Sequence, residues 1–195
     1  MAVSTPNPAA FARMRRHLSR GFTAIELMVV VAIVAILAAL AGPSFTPLID
    51  NWRTRQMAEG LQSTLFYARS EAIKRGGNVI IQKNPNNTNG CSLAPGVADW
   101  GCGWHVCADA NLNNVCDATE ILQRFNPPAN TQVTRPAGAG ATIQLNRWGL
   151  VAGPFVGFSL VPLNKSITNP AARGVCMSSG GRIRIIPSQD IPCAD

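Results

Sequence analysis

The segment FTAIELMVVVAIVAILAALA, residues 22–41, carries no polar side chain from Leu27 to Ala41, yet Glu26 stands just ahead of that run. As a helix the segment would span about 30 Å, one bilayer core. Arg13, Arg15, Arg16 and Arg20 precede it and no acid does, so the N-terminal side stays in the cytoplasm and the rest is exported. A carboxylate in hydrocarbon costs roughly 2 to 3 kcal/mol, so Glu26 needs a reason. Three accounts compete. A cleaved secretory signal would use Ala39-Leu40-Ala41 as its cut site, but Pro43 follows almost at once and the hydrophobic core opens on an acid. A plain signal anchor leaves Glu26 unexplained. A cut between Gly21 and Phe22 creates an α-amino group and makes Glu26 the fifth residue of the mature chain. The acid then pairs with its own amine or a neighbouring subunit's, and pairing offsets the burial of both charges.

The formal charge of +7 falls to +3 once the four leader arginines are set aside, so the body is only weakly basic. Such a balance allows anionic partners without proving them. All six cysteines lie after residue 90. Cys91, Cys102, Cys107 and Cys116 are clustered without a CxxC pair, and Cys176 and Cys193 lie near the C-terminus. Disulfides in an oxidising compartment fit these spacings better than zinc. Proximity suggests Cys176–Cys193 as one bridge and two more within 91–116.

Beyond the apolar segment, Gly42-Pro43 and Pro47 predict a kink or break. A helix resumes from about Leu48 to Arg75, with Ala58, Leu61, Leu65, Ala68 and Ala72 forming an apolar stripe for packing on a sheet. Arg55, Glu59, Gln62 and Arg69 fall away from the stripe, and Gly76-Gly77 ends the helix. Residues 78–82, 103–109, 120–125, 141–146, 155–161, 174–178 and 181–186 read as short strands between turn residues.

No enzyme site emerges: after the proposed cut His105 is the only histidine, with no nucleophile–base pattern around it, and no cofactor motif occurs. Asp109, Asn111, Asn113, Asp117 and Glu120 take positions 1, 3, 5, 9 and 12 of a calcium loop, but Asn114 stands where glycine belongs and the flanks are strand-like. The alternative is a polar loop whose side chains bond their own backbone, and no metal is assigned. In GGRIRI, Arg182 and Arg184 share one strand face while Ile183 and Ile185 face the core. Two adjacent guanidinium groups suit a phosphate backbone, with Gly180-Gly181 allowing close approach. The plainer reading is a charged strand edge that resists aggregation. Lys165 and Arg173 precede the strand and are candidates to extend the patch.

The stretch RGFTAIELMVVVAIVAILAALAGP, residues 20–43, resembles the class III signal of type IV pilins and type II secretion pseudopilins. The resemblance implies that a prepilin peptidase cuts after Gly21 and N-methylates Phe22, and that Glu26 guides assembly. ARSEAIKRG (68–76), the strand-rich remainder, and both TIQLNRWGLVAGPFVGFSL (142–160) and VCMSSGGRIRI (175–185) resemble the GspH/FimT branch of minor pilins and pseudopilins. Together they imply an α+β, type IV pilin-like fold: a long N-terminal helix, half in the membrane and half amphipathic, packed on a C-terminal antiparallel β-sheet domain. The expected organisation is a removed leader (1–21), a transmembrane and filament-core helix (22–42), an amphipathic helix (43–76) and a disulfide-bearing periplasmic domain (77–195). A Gly-Arg-x-Arg motif here resembles FimT-type minor pilins that bind DNA in natural transformation, with Gly181, Arg182 and Arg184 matching residue by residue. The implied partners are other pilins, the peptidase, the inner membrane and double-stranded DNA. The alternative is an H-type minor pseudopilin of a type II secretion system, with no DNA role.

Overall fold

The computed structural model describes residues 21–41, 45–136, 138–151, 153 and 155–193. The leader arginines and the Gly42-Pro43 break lie outside these residues. The chain divides into two units, Met1–Pro43 and Ser44–Asp195.

In the first unit, helix α1 runs Ala24–Ala41. It starts later than the sequence suggested because Thr23 caps it: the Thr23 Oγ1 accepts the Glu26 backbone N–H at 3.3 Å. Thr23-Ala24-Ile25-Glu26 has the spacing of a capping box, and Glu26 sits in the first turn, where the helix dipole favours an acid. Its 18 residues span about 27 Å. Residue 42 of the expected 22–42 segment lies outside the described residues, and among those no helix is long and apolar enough to cross a membrane. Every described side chain of α1 is exposed.

In the second unit, helix α2 runs Thr46–Arg75. Pro47 lies in its first turn, where a missing N–H has no intrahelical partner to lose, so it opens the helix rather than interrupting it. Gly76 closes it in the left-handed region at φ +77°, and the Gly77 N–H returns to the Ala72 carbonyl at 2.8 Å. The predicted stripe Ala58, Leu61, Leu65, Ala68 and Ala72 is fully buried, and Met57 joins it.

Eight strands follow the helix: β1 (Val79–Lys83), β2 (Trp104–Ala108), β3 (Ile121–Phe125), β4 (Thr131–Thr134), β5 (Thr142–Leu145), β6 (Phe155–Pro162), β7 (Arg173–Ser178) and β8 (Ile183–Pro187). They form two four-stranded antiparallel sheets, in the orders β3-β2-β1-β5 and β4-β6-β7-β8, as the expected antiparallel domain requires. Strand β4, TQVT, escaped the sequence reading because three of its four residues are polar. Its alternation is nonetheless present: Thr131 and Val133 are buried and Gln132 is exposed.

The core between helix and sheets holds Trp100, Trp104, Phe158, Leu160 and Met177. Trp104 stacks on Phe125 with centroids 4.5 Å apart and donates its indole N–H to Thr64 Oγ1 at 3.0 Å. The same Phe125 ring explains Gly60 in mid-helix, since a Cβ there would lie 2.3 Å from the ring. The three bridges are Cys91–Cys102, Cys107–Cys116 and Cys176–Cys193, with two inside 91–116 as proximity suggested.

Candidate nucleic-acid interface

The β7–β8 hairpin turns through Ser178–Arg182. The Gly181 N–H reaches the Ser178 carbonyl at 2.8 Å, the Ser178 N–H reaches the Arg182 carbonyl at 3.0 Å, and Ser178 Oγ accepts the Arg182 N–H at 3.2 Å. Strand β8 begins at Ile183, so Arg182 stands just before it rather than within it. The expected alternation survives: Arg182 and Arg184 are exposed, Ile183 is buried and Ile185 half-buried. Arg184 lies opposite Cys176, and Cys176 opposite Gly157 on β6. Opposed residues share a sheet face, so Arg184 stands on the face that carries the Cys176–Cys193 bridge. Phe155, Ser178, Arg182, Arg184 and Cys193 line a small groove there.

Gly181 has a different role from the one read in the sequence. Its φ of +82° lies in the left-handed region, and a Cβ would come 2.5 Å from the Arg69 Nη2. It is buried against the protein and is not an open approach to a ligand. The Arg69 side chain, expected to fall away from the core stripe, instead reaches from α2 into two loops. Its Nε–H donates to the Gly149 carbonyl at 3.0 Å and its Nη1 to the Gly181 carbonyl. One planar guanidinium therefore ties the β5–β6 loop to the β7–β8 hairpin.

That β5–β6 loop carries the residues the sequence reading missed. The Gly149 N–H reaches the Asn146 carbonyl at 2.8 Å. Asn146 Oδ1 accepts the N–H groups of Trp148 at 3.0 Å and Leu150 at 3.1 Å. On this braced turn Trp148 is 66% exposed, and the Arg147 guanidinium lies 5.5 Å from its ring centroid. A tryptophan in the polar, turn-forming context Asn146-Arg147-Trp148-Gly149 was the available signal. Lys74 and Arg75 are near the end of α2, both paired with Glu71. The Arg75 hydrogen bond, helped by the Lys74 and Arg75 charges, holds the Glu71 carboxyl below its ordinary range against the opposing effect of burial. Asp109 shares a groove with Arg147, and its carboxylate is occupied by the Asn113 and Asn114 N–H groups.

Lys165 and Arg173 do not extend this patch. Arg173 pairs with Pro187 at the opposite end of the β7–β8 ladder, roughly 15 Å from the turn at strand spacing. Its guanidinium is taken up by Pro170 O, Ala172 O and Asn51 Oδ1. Lys165 lies in the β6–β7 loop at that same far end.

The Asp109–Glu120 loop is held by its own side chains. Asp109 and Asn111 accept the Asn113 N–H, Asn113 accepts the Val115 N–H, and Glu120 accepts the N–H groups of Ala110 and Asp117. Among the described residues no group of three or more acidic, histidine or cysteine side chains is arranged to hold a metal ion. His105 is buried, with Nδ1 2.8 Å from Asn84 Oδ1. Asn84 Nδ2 donates to the Cys102 carbonyl, so Oδ1 is the acceptor and Nδ1 carries the proton. Burial first, then the Arg124 charge, pushes the His105 pKa down. Through Asn84 it is tied to the Cys91–Cys102 bridge region.

Two family descriptions match the chain: "Type II transport protein GspH" over residues 57–181, and "Prokaryotic N-terminal methylation motif" over residues 16–42. Among curated proteins, a fimbrial protein of Pseudomonas aeruginosa is 40% identical over 70 residues, covering 35% of this chain and 44% of that protein. Type II secretion system protein H of Xanthomonas campestris pv. campestris is 35% identical over 63 residues, covering 32% and 37%. The matches thus span under half the length of these two relatives. Among solved structures, the type IV minor pilin FimU of Pseudomonas aeruginosa superposes with a TM-score of 0.52 at 21% identity, covering 69% of this chain and 94% of that one. This last likeness is one of fold: a helix packed on antiparallel sheets. With more than half its length matched, and with that helix-on-sheet architecture, the chain belongs to the GspH family of pilin-like proteins.

Proposed function

We propose that the chain is a minor pilin of a type IV pilus, a structural and non-catalytic subunit that contacts duplex DNA through Arg182 and Arg184. In this reading a prepilin peptidase cuts after Gly21 and methylates Phe22, the N-terminal segment anchors the chain in the inner membrane, and the second unit lies in the periplasm. The methylation motif over residues 16–42 supports the processing steps. Glu26 then has two uses. It opens α1 beside the helix dipole, and it offers a carboxylate to a new amine of this or a neighbouring subunit.

The observation that carries the DNA contact is the alternation at the hairpin: two exposed arginines on one side, with the isoleucine between them buried. Guanidinium groups so placed fit successive phosphates and predict salt-sensitive, largely sequence-independent binding. The test is a gel shift of the full chain in mild detergent, with and without Arg182→Ala/Arg184→Ala. The double variant should lose most of the binding, and the slope of affinity against salt should fall by about two. Binding unchanged in the variant, or absent from the parent at low salt, leaves the second reading ahead. That reading is an H-type minor pseudopilin of a type II secretion system with no DNA role. It is favoured by the matched family description and by the Xanthomonas relative. Mass spectrometry of the mature chain tests the processing: the expected N-terminus is methylated Phe22, and an intact leader refutes it.

A further inference from the structure

Arg69 does more than stabilise a turn. By holding Gly149 and Gly181 with one guanidinium, it ties the loop that carries Arg147 and Trp148 to the hairpin that carries Arg182. The two loops also touch directly, since a Cβ on Gly181 would lie 3.0 Å from Leu150 Cδ2. Trp148 is two residues from Leu150, and Arg182 adjoins Gly181. The exposed indole is not a loose surface side chain. The Trp148 backbone N–H is bonded to Asn146, which also accepts the N–H groups of Gly149 and Leu150, and Arg147 lies over the indole ring. An exposed aromatic plane on a braced turn, with a guanidinium over it, matches what proteins use to grip unpaired bases: a ring to stack on and charge to follow the backbone. In an intact duplex the base faces are already stacked on one another, so an indole has no face to meet. The acids near this surface are already engaged: Glu71 by Lys74 and Arg75, and Asp109 by backbone N–H groups.

We infer that Trp148, with Arg147 over its ring on the loop that Arg69 ties to the Arg182 hairpin, forms a stacking site for unpaired bases, so that this chain grips single-stranded or frayed DNA more tightly than intact duplex. The inference rests on the DNA reading above and deepens it. Arg69 is the positioning residue of the site. Trp148 supplies the selectivity, and the arginines supply affinity for either form of DNA.

The experiment compares two probes on the full chain in mild detergent, by fluorescence anisotropy: a labelled oligothymidine single strand and a labelled duplex of the same length. The parent should favour the single strand. Trp148→Ala should lower the ratio of single-strand to duplex affinity about tenfold, the loss of one stacked base, and Trp148→Phe should keep most of it. Arg182→Ala/Arg184→Ala should weaken both probes and leave that ratio within about twofold, because phosphates are common to both. If Trp148→Ala leaves the ratio unchanged while the arginine pair still weakens both probes, the stacking site is refuted and the DNA reading stands. If the arginine pair alters neither probe, the DNA reading itself falls, and with it this inference.

Discussion

Replacing Arg69 by alanine separates the two loops it joins. The guanidinium makes two charge-assisted hydrogen bonds to main-chain carbonyls, at Gly149 and Gly181, and both glycines are buried. Such bonds contribute about 1.5 to 3 kcal/mol each, and the half-buried side chain argues for the lower end. Arg69→Ala should therefore cost about 3 kcal/mol, or a fall in Tm of about 6 to 12 °C for a chain of this size. Arg69→Lys keeps the charge but lacks the fork, so it should recover at most about half of the loss. Gly181→Ala attacks the same staple from the other side. It forces a side chain into a left-handed backbone and drives the new Cβ against the Arg69 Nη2. The two substitutions should then be strongly non-additive, the double variant little less stable than the worse single one. Thermal and denaturant unfolding of the full chain in one detergent, followed by near-ultraviolet circular dichroism, measures all four variants. An alanine variant within about 0.5 kcal/mol of the parent would refute the staple. So would a fully restored lysine variant, or strict additivity with Gly181→Ala.

Gly60→Ala should destabilise by about 1 kcal/mol, although alanine is the better helix former, because overpacking against the Phe125 ring outweighs the gain in propensity; Phe125→Leu in the same chain should recover the loss in a thermal melt. His105 has a folded pKa below its ordinary 6.5, so the unfolded chain takes up the proton first as pH falls. Stability should hold above that value and decline as pH drops through it, and His105→Gln should flatten the decline in urea titrations at a series of pH values. Peptide mapping without reduction should recover the linked pairs Cys91–Cys102, Cys107–Cys116 and Cys176–Cys193, and any other pairing contradicts the structure. Cys193→Ser should free the last residues from the sheet face at Gly157, seen as faster proteolysis beyond Pro187.

Much of the scaffold was legible because it depends on periodicity. The stripe from Ala58 to Ala72 and the alternation around Ile183 report burial directly. Seven strands announce themselves by apolar runs, whereas β4 is carried by pairing with β6, which a local reading cannot detect. Gly76 acts as its helix-ending signal predicts, while Gly181 is glycine for a reason that sits more than a hundred residues away in sequence, at Arg69. Pro47 illustrates a positional error: the same residue that breaks a helix interior opens a helix at its first turn. The candidate site was half visible for a similar reason. Arg182 and Arg184 are read from one strand, whereas the Arg147-Trp148 loop joins them only through a tertiary contact.

The route of the Arg69 side chain also sets where mechanical load would go. The helix that carries it runs for 30 residues and forms one wall of the core, whereas the hairpin bearing Arg182 is the last strand pair of its sheet. Tension applied to the two loops is borne first by α2 through a single guanidinium, and only afterwards by the ladder between β7 and β8.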